Sequence, residues 1–174
     1  MKANQLSQEE YEPYYADYIK KSGGMELVYG LSNSIENSMT FLKSIPQDKL
    51  DFRYDLGKWT IMDVVQHIID AERVFAYRAL CFAREDKTSL PGFDENSYAE
   101  VTNVRARLYI DIIEEYIAQR RSTIALFKSF DDTMLMRMGV ANNAKMSVRA
   151  IGFVVLGHEN HHFEVINKRY LTAK

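Results

Sequence analysis

Residues 60–83 read TIMDVVQHIIDAERVFAYRALCFA, and this stretch decides the fold class. Val64, Ile68, Ala71, Val74, Phe75 and Ala79 recur at three- and four-residue steps, so they share one face of an α-helix. Thr60 is suited to cap its start, because a hydroxyl there can accept from the free amides of the first turn. Asp63 in that turn suits the positive end of the helix dipole. One polar residue, His67, sits at the edge of the apolar stripe.

The same periodicity extends outward. Leu27, Leu31, Ile35, Met39 and Leu42 predict a helix over about 25–45, stopped by Pro46. Leu108, Ile112, Tyr116, Ile117, Ile124 and Phe127 form a less regular stripe that predicts a helix over about 103–130. Ser147 is placed to cap a last helix ending near residue 170. Four amphipathic helices bury their stripes most simply against one another, so the expected fold is all-α, an antiparallel four-helix bundle. Residues 1–22, with Tyr11, Tyr14, Tyr15 and Tyr18, are expected to form an N-terminal arm or short helix ended by Gly23 and Gly24. The loop 84–96, with Pro91 and Gly92, is long enough to cover a pocket mouth. Gly139, Asn142 and Asn143 mark a turn, and no stretch alternates clearly enough to be read as a sheet.

Composition narrows the class. A chain of 174 residues, 47% hydrophobic and 26% charged, suits one globular domain over 1–174. No apolar run reaches the ~18 residues of a membrane span, and the polar start lacks a signal-like plan, so the expected location is cytoplasmic, with no membrane partner. The single Cys81 excludes an internal disulfide and a multi-cysteine zinc site. On an apolar helix it reads as an inert core thiol, and Met134, Met136 and Met138 read as core fillers. The net charge of −2 gives no support for a nucleic-acid partner. Arg105, Arg107, Arg120 and Arg121 are expected to form a solvated helix face.

The four histidines are unevenly spread, with His67 on the second helix and His158, His161 and His162 together on the last. At about 100° per residue, His158 and His162 are about 40° apart on adjacent turns. His161 sits about 60° to the other side. The apolar positions Ile151, Val154, Val155 and Val165 centre between 158 and 162 and farther from His161, so His158 and His162 are the expected inward pair, with His161 as the alternate. His67 can join them across the core. Three such nitrogens can share one divalent ion with an open coordination position, or can be hydrogen-bonded core imidazoles; periodicity leaves both readings standing.

A second pattern runs through Lys58-Trp59-Thr60-Ile61, Val65-Gln66-His67-Ile68-Ile69-Asp70-Ala71-Glu72-Arg73, Leu90-Pro91-Gly92-Phe93-Asp94 and Gly157-His158-Glu159-Asn160-His161-His162. In order and spacing these segments resemble the DinB family, also described as DinB/YfiT-like metalloenzymes. The resemblance covers about residues 25–170. It implies a four-helix bundle, frequently a homodimer, with a metal site at the positions of His67, His158 and His162. Relatives with an assigned role include transferases and isomerases that use low-molecular-weight thiols such as bacillithiol or mycothiol, while many members have no assigned reaction. The implied cofactor is one divalent ion, with zinc, nickel and iron undistinguished by imidazole ligands, and the implied co-substrate is a small thiol or electrophile.

Other residues are weaker candidates. Glu159, Glu164 and Asp70 could hydrogen-bond a ligand imidazole, although a solvated face also explains Glu159 and Glu164. Arg78 lies on the helical line of His67 and could meet an anionic substrate, whereas Trp59, just before the helix cap, reads as a structural staple. The expected function is a metal-dependent thiol transferase or hydrolase. The competing reading is a non-enzymatic bundle, possible in a stress response, in which a metal or ligand only stabilises the fold.

Overall fold

The computed structural model describes residues 1–172. Short 3₁₀ turns at Ala3–Gln5, Gln8–Glu10 and Pro13–Tyr15 lead into α1 (Ala16–Lys21), followed by α2 (Leu27–Ser44) and α3 (Ile61–Ala83). Next come α4 (Glu95–Val101), α5 (Tyr109–Lys128) and α6 (Asp132–Met136). A hairpin of β1 (Met138–Ala141) and β2 (Ala144–Ser147) precedes α7 (Val148–Val165), which continues into a π-helical segment, Ile166–Leu171.

Helices α2, α3, α5 and α7 make the expected bundle. α2 packs on α5 and α7, and α3 packs on the same two, so the order around the bundle is α2, α5, α3, α7. Its apolar interior has two parts, one at each end. The first gathers Leu31, Phe75, Phe127 and Phe153, and the second gathers Leu42, Ile61, Ile112 and Ile166. α2 and α7 run from the first part to the second, while α3 and α5 run from the second to the first. Two helices therefore point each way, with α3 and α5 parallel. The long connection between them allows this, by carrying the chain back to the end where α3 began.

Between the two apolar parts lies a buried polar layer to which all four helices contribute. Arg120 of α5 is fully buried; its Nε donates to Glu72 Oε1 of α3 at 2.9 Å and its Nη2 to Glu159 Oε2 of α7 at 2.8 Å. Its Nη1 donates to Ser34 of α2. Ser38 Oγ donates to Glu159 Oε1 at 3.0 Å, and the Tyr116 hydroxyl donates to the same carboxylate. Arg120 thus departs from the solvated face expected of it. Its neighbours on α5, Tyr116, Thr123 and Ile124, are themselves buried, and two carboxylates supply the compensation that a buried guanidinium requires. Burial alone would pull its pKa down, but the flanking carboxylates hold it well above the ordinary arginine value.

The capping expectations for α3 and α7 agree with the structure. Thr60 Oγ1 accepts from Asp63 N at 3.1 Å while Asp63 Oδ2 accepts from Thr60 N at 2.8 Å, and Ser147 Oγ accepts from Ala150 N at 3.1 Å. Three expectations need correction. The helix predicted over 103–130 begins only at Tyr109, because Leu108 is extended and Val104–Ala106 forms a 3₁₀ turn. Part of the segment before it is helical, since Asp94 Oδ1 caps α4 by accepting from Asn96 N at 2.9 Å and Ser97 N at 3.1 Å. Residues 138–147 form a β-hairpin rather than a plain turn. Its strands are four residues each, too short to alternate visibly, and Asn142 and Asn143 close it in left-handed conformations with φ of 52° and 59°.

The N-terminal arm is fastened to α7. Arg149 Nε donates to Glu10 Oε2 at 2.6 Å, and Ser147 Oγ donates to the same oxygen at 2.8 Å. At Gly157 the contact is closer still, for a Cβ there would stand 1.6 Å from the Tyr18 carbonyl oxygen. Only glycine lets α1 lie this near.

The polar layer predicts its own test. Arg120→Met leaves Glu72 and Glu159 buried without compensation, which is expected to cost about 3–5 kcal/mol. Arg121→Met, on the exposed neighbour, is expected to stay within about 0.5 kcal/mol of the parent in the same urea unfolding series.

Candidate metal centre

His67 comes from α3, and His158 and His162 come from consecutive turns of α7, the helix packed against it. His158 Nε2 lies 3.1 Å from His67 Nε2 and 3.1 Å from His162 Nε2, and the three ligand nitrogens all fall within 4.8 Å of one another. His161 is not in this group. Its ring faces Tyr18, with centroids 5.4 Å apart, beside a separate surface cleft with Lys21 and Glu164. The α7 stripe that favoured positions 158 and 162 gives the physical reason.

Burial determines the protonation of the three rings. It pulls His67 down to about 4; with help from its imidazole neighbours it pulls His162 down to about 3 and His158 well below the ordinary value. All three are therefore neutral near pH 7, the form in which imidazole donates a lone pair to a metal. Among three Nε2 atoms this close, any nitrogen that carries a proton to share with its neighbours gives up its own lone pair. A divalent cation would accept a lone pair from all three. The 3.1 Å separations are close to those of imidazoles sharing an ion with bonds of about 2.0–2.1 Å. Two of the three separations have this length and the third lies within 4.8 Å, so the three imidazoles would suit such an ion.

The rings form the floor of a cavity of about 360 Å³. Tyr14, Tyr15 and Tyr18 of the arm make one wall, and Trp59, Phe75 and Phe93 make much of the rest. Trp59 packs on His67 with centroids 4.8 Å apart, and Tyr18 packs on His158 at 5.4 Å. Arg78 of α3, Glu12 and Glu95 bring charge to the lining, and Asn142 and Ala144 bring in the hairpin. The 84–96 loop reaches the cavity through Phe93 and Glu95, and Leu90 fastens it to the hairpin by donating to Val140 O at 3.0 Å.

The carboxylates proposed beside the ligands go elsewhere. Glu159 points into the polar layer, since the residue after His158 is turned about 100° away from it. Asp70 Oδ1 accepts from Gln66 Nε2 at 3.0 Å and Arg73 Nη1 at 3.1 Å, and Glu164 Oε2 accepts from Lys21 Nζ at 2.7 Å. Among the described residues, the ring nitrogens of His67, His158 and His162 make hydrogen-bond contacts only with one another. Trp59 is more than a staple, for it both packs at the helix entry and walls the cavity. The arm tyrosines were missed as lining. Their spacing, with Tyr14 four residues before Tyr18, was the available signal, but it does not reveal where the arm folds.

The depressed imidazoles make the metal-free protein acid-sensitive. Unfolded, each ring protonates near 6.5, so below that pH the unfolded chain binds more protons and stability falls as pH drops toward the folded values. Each ring contributes a slope of up to about 1.4 kcal/mol per pH unit. Urea unfolding of chelator-treated protein between about pH 7.5 and about pH 5.5 is expected to show this loss, and His67→Gln is expected to flatten it by one ring's share.

The chain is similar in structure to YfiT from Bacillus subtilis, described as a probable metal-dependent hydrolase with an unusual four-helix bundle topology. The TM-score is 0.71 at 14% identity, over 94% of this chain and 90% of that one. No curated protein matches the sequence. The sequence model of the DinB superfamily matches residues 31–166, a span that includes all three histidines. The chain belongs to the DinB superfamily.

Proposed function

We propose that this chain is a divalent-metal-dependent enzyme acting on a small molecule bound in the 360 Å³ cavity, by hydrolysis or by transfer to a thiol. The observation that carries the reading is the convergence of three neutral imidazoles, one buried and two half-buried, in the lining of an aromatic-walled cavity open to a ligand. His67, His158 and His162 would hold the ion, which would supply Lewis acidity to lower the pKa of a water or a thiol. The hydrolytic arm is supported by the description of YfiT, the thiol arm by the thiol-using relatives that the family resemblance implies.

The chain's own residues do the rest. Packing of His67 against Trp59 and of His158 against Tyr18 and Phe75 holds the rings in place without carboxylate partners. The same aromatic side chains cover His158, which is 8% exposed, and this partial shielding from water strengthens electrostatic interactions there. Cys81 is buried outside the cavity lining, so a thiol taking part in the reaction comes with the substrates.

The test is a screen of esters, amides and small electrophiles, each with and without added thiol, on protein reconstituted with zinc, nickel or iron. Turnover is expected with metal, at background level after chelation and at background level in His158→Ala. A product that requires no thiol assigns hydrolysis; an S-conjugate assigns transfer. Absence of turnover across the screen, with a metal-dependent rise in melting temperature, would favour a bundle in which the ion only stabilises the fold.

A further inference from the structure

Among the described residues, three arginines are buried, and they differ in what surrounds them. Arg120 is held by Glu72 and Glu159, and Arg149 by Glu10. Arg78 is 5% exposed and has no carboxylate within ion-pair distance among the described residues. Its Nη2 donates to the Pro91 carbonyl at 3.0 Å, its guanidinium carbon stands 5.6 Å from the Phe75 ring centroid, and the Tyr15 hydroxyl lies against it. These contacts orient the group and leave its charge uncompensated. Keeping a guanidinium buried in this way is costly unless an anion completes it.

Its position makes the charge useful. Arg78 lines the same cavity as the three histidines. Eleven residues separate it from His67, about three helical turns, so the two share a face of α3, and helical side chains lean toward the N-terminus, here toward His67. Phe75 joins the two features, with its ring 6.3 Å from that of His158 and beneath the guanidinium. The acids that also line the cavity, Glu12 and Glu95, are exposed at its edge.

We propose that Arg78 is the specificity residue of the cavity. It receives a carboxylate or phosphate at one end of a small substrate, whose apolar body lies along Phe75 and whose reacting group reaches the three histidines. This inference rests on the proposed function for the reacting end only. Anion recognition at Arg78 stands or falls without a metal.

The experiment therefore uses chelator-treated protein, in which a probe cannot bind through an ion. Phenylacetate and phenyl phosphate are titrated by calorimetry against their neutral counterparts, phenylacetamide and phenol. At least one anionic probe is expected to bind ~10-fold or more tightly than its neutral counterpart. Arg78→Gln is expected to abolish that preference while leaving the neutral probes unchanged, Arg78→Lys to retain part of it, and His67→Ala to keep it whole. The stronger of the two anionic probes identifies the oxyanion class. Equal binding of charged and neutral probes, an unchanged preference in Arg78→Gln, or no binding of either anion tighter than ~10 mM overturns the proposal. If Arg78→Gln fails to fold, as judged by circular dichroism, a preference undiminished in Arg78→Lys overturns it. Loss of metal binding in His67→Ala with anion preference intact separates this result from failure of the metal reading.

Discussion

The Arg120 guanidinium, buried completely at mid-bundle, needs two carboxylates at fixed positions, and the rest of the structure is arranged around that requirement. Glu72 reaches it from α3 and Glu159 from α7, so one side chain of α5 sets the register of the two helices that carry the histidines. Glu72 lies five residues past His67, and Glu159 directly follows His158. A slip of either helix by one turn would break the ion pairs and also separate the imidazoles. Two carboxylates against one guanidinium leave the layer rich in acid, and burial accordingly pushes the Glu159 carboxyl up. The buried ion cluster contributes little stability over an apolar substitute, but a wrong register would leave its charges uncompensated.

That register has consequences on the other side of α7. Adjacent residues on a helix face different ways, so while Glu159 turns inward to the polar layer, His158 turns toward α3, α1 and the cavity. Gly157 allows the backbone of α1 to press against the same turn, bringing Tyr18 onto His158. Three successive residues therefore serve the arm, the imidazole cluster and the core. The arm, the hairpin and the 84–96 loop add walls to a floor that the bundle alone positions.

Much of this was legible in the sequence because it depends on local periodicity. The stripes of α2, α3 and α7 and the preference for His158 and His162 over His161 follow from one angle per residue, and the caps at Thr60 and Ser147 follow from a hydroxyl at the helix start. Features that depend on what comes from elsewhere in the chain were not legible. Arg120 looked solvated because its partners lie 48 and 39 residues away. Glu159 looked like a partner for the histidines because sequence adjacency hides a turn of about 100°. The hairpin was too short to alternate, and the cavity role of Tyr18 depends on the close contact at Gly157.

The account depends on the three imidazoles sharing one ion. The direct measurement is metal per chain, by plasma mass spectrometry on untagged protein after incubation with zinc, nickel or iron and desalting. About one ion per chain is expected in the parent and in His161→Ala, and close to none in His67→Ala, His158→Ala and His162→Ala. An ion content that is unchanged in those three variants, or absent from the parent under all three metals, would contradict the account and leave a helical bundle with a cluster of neutral core histidines.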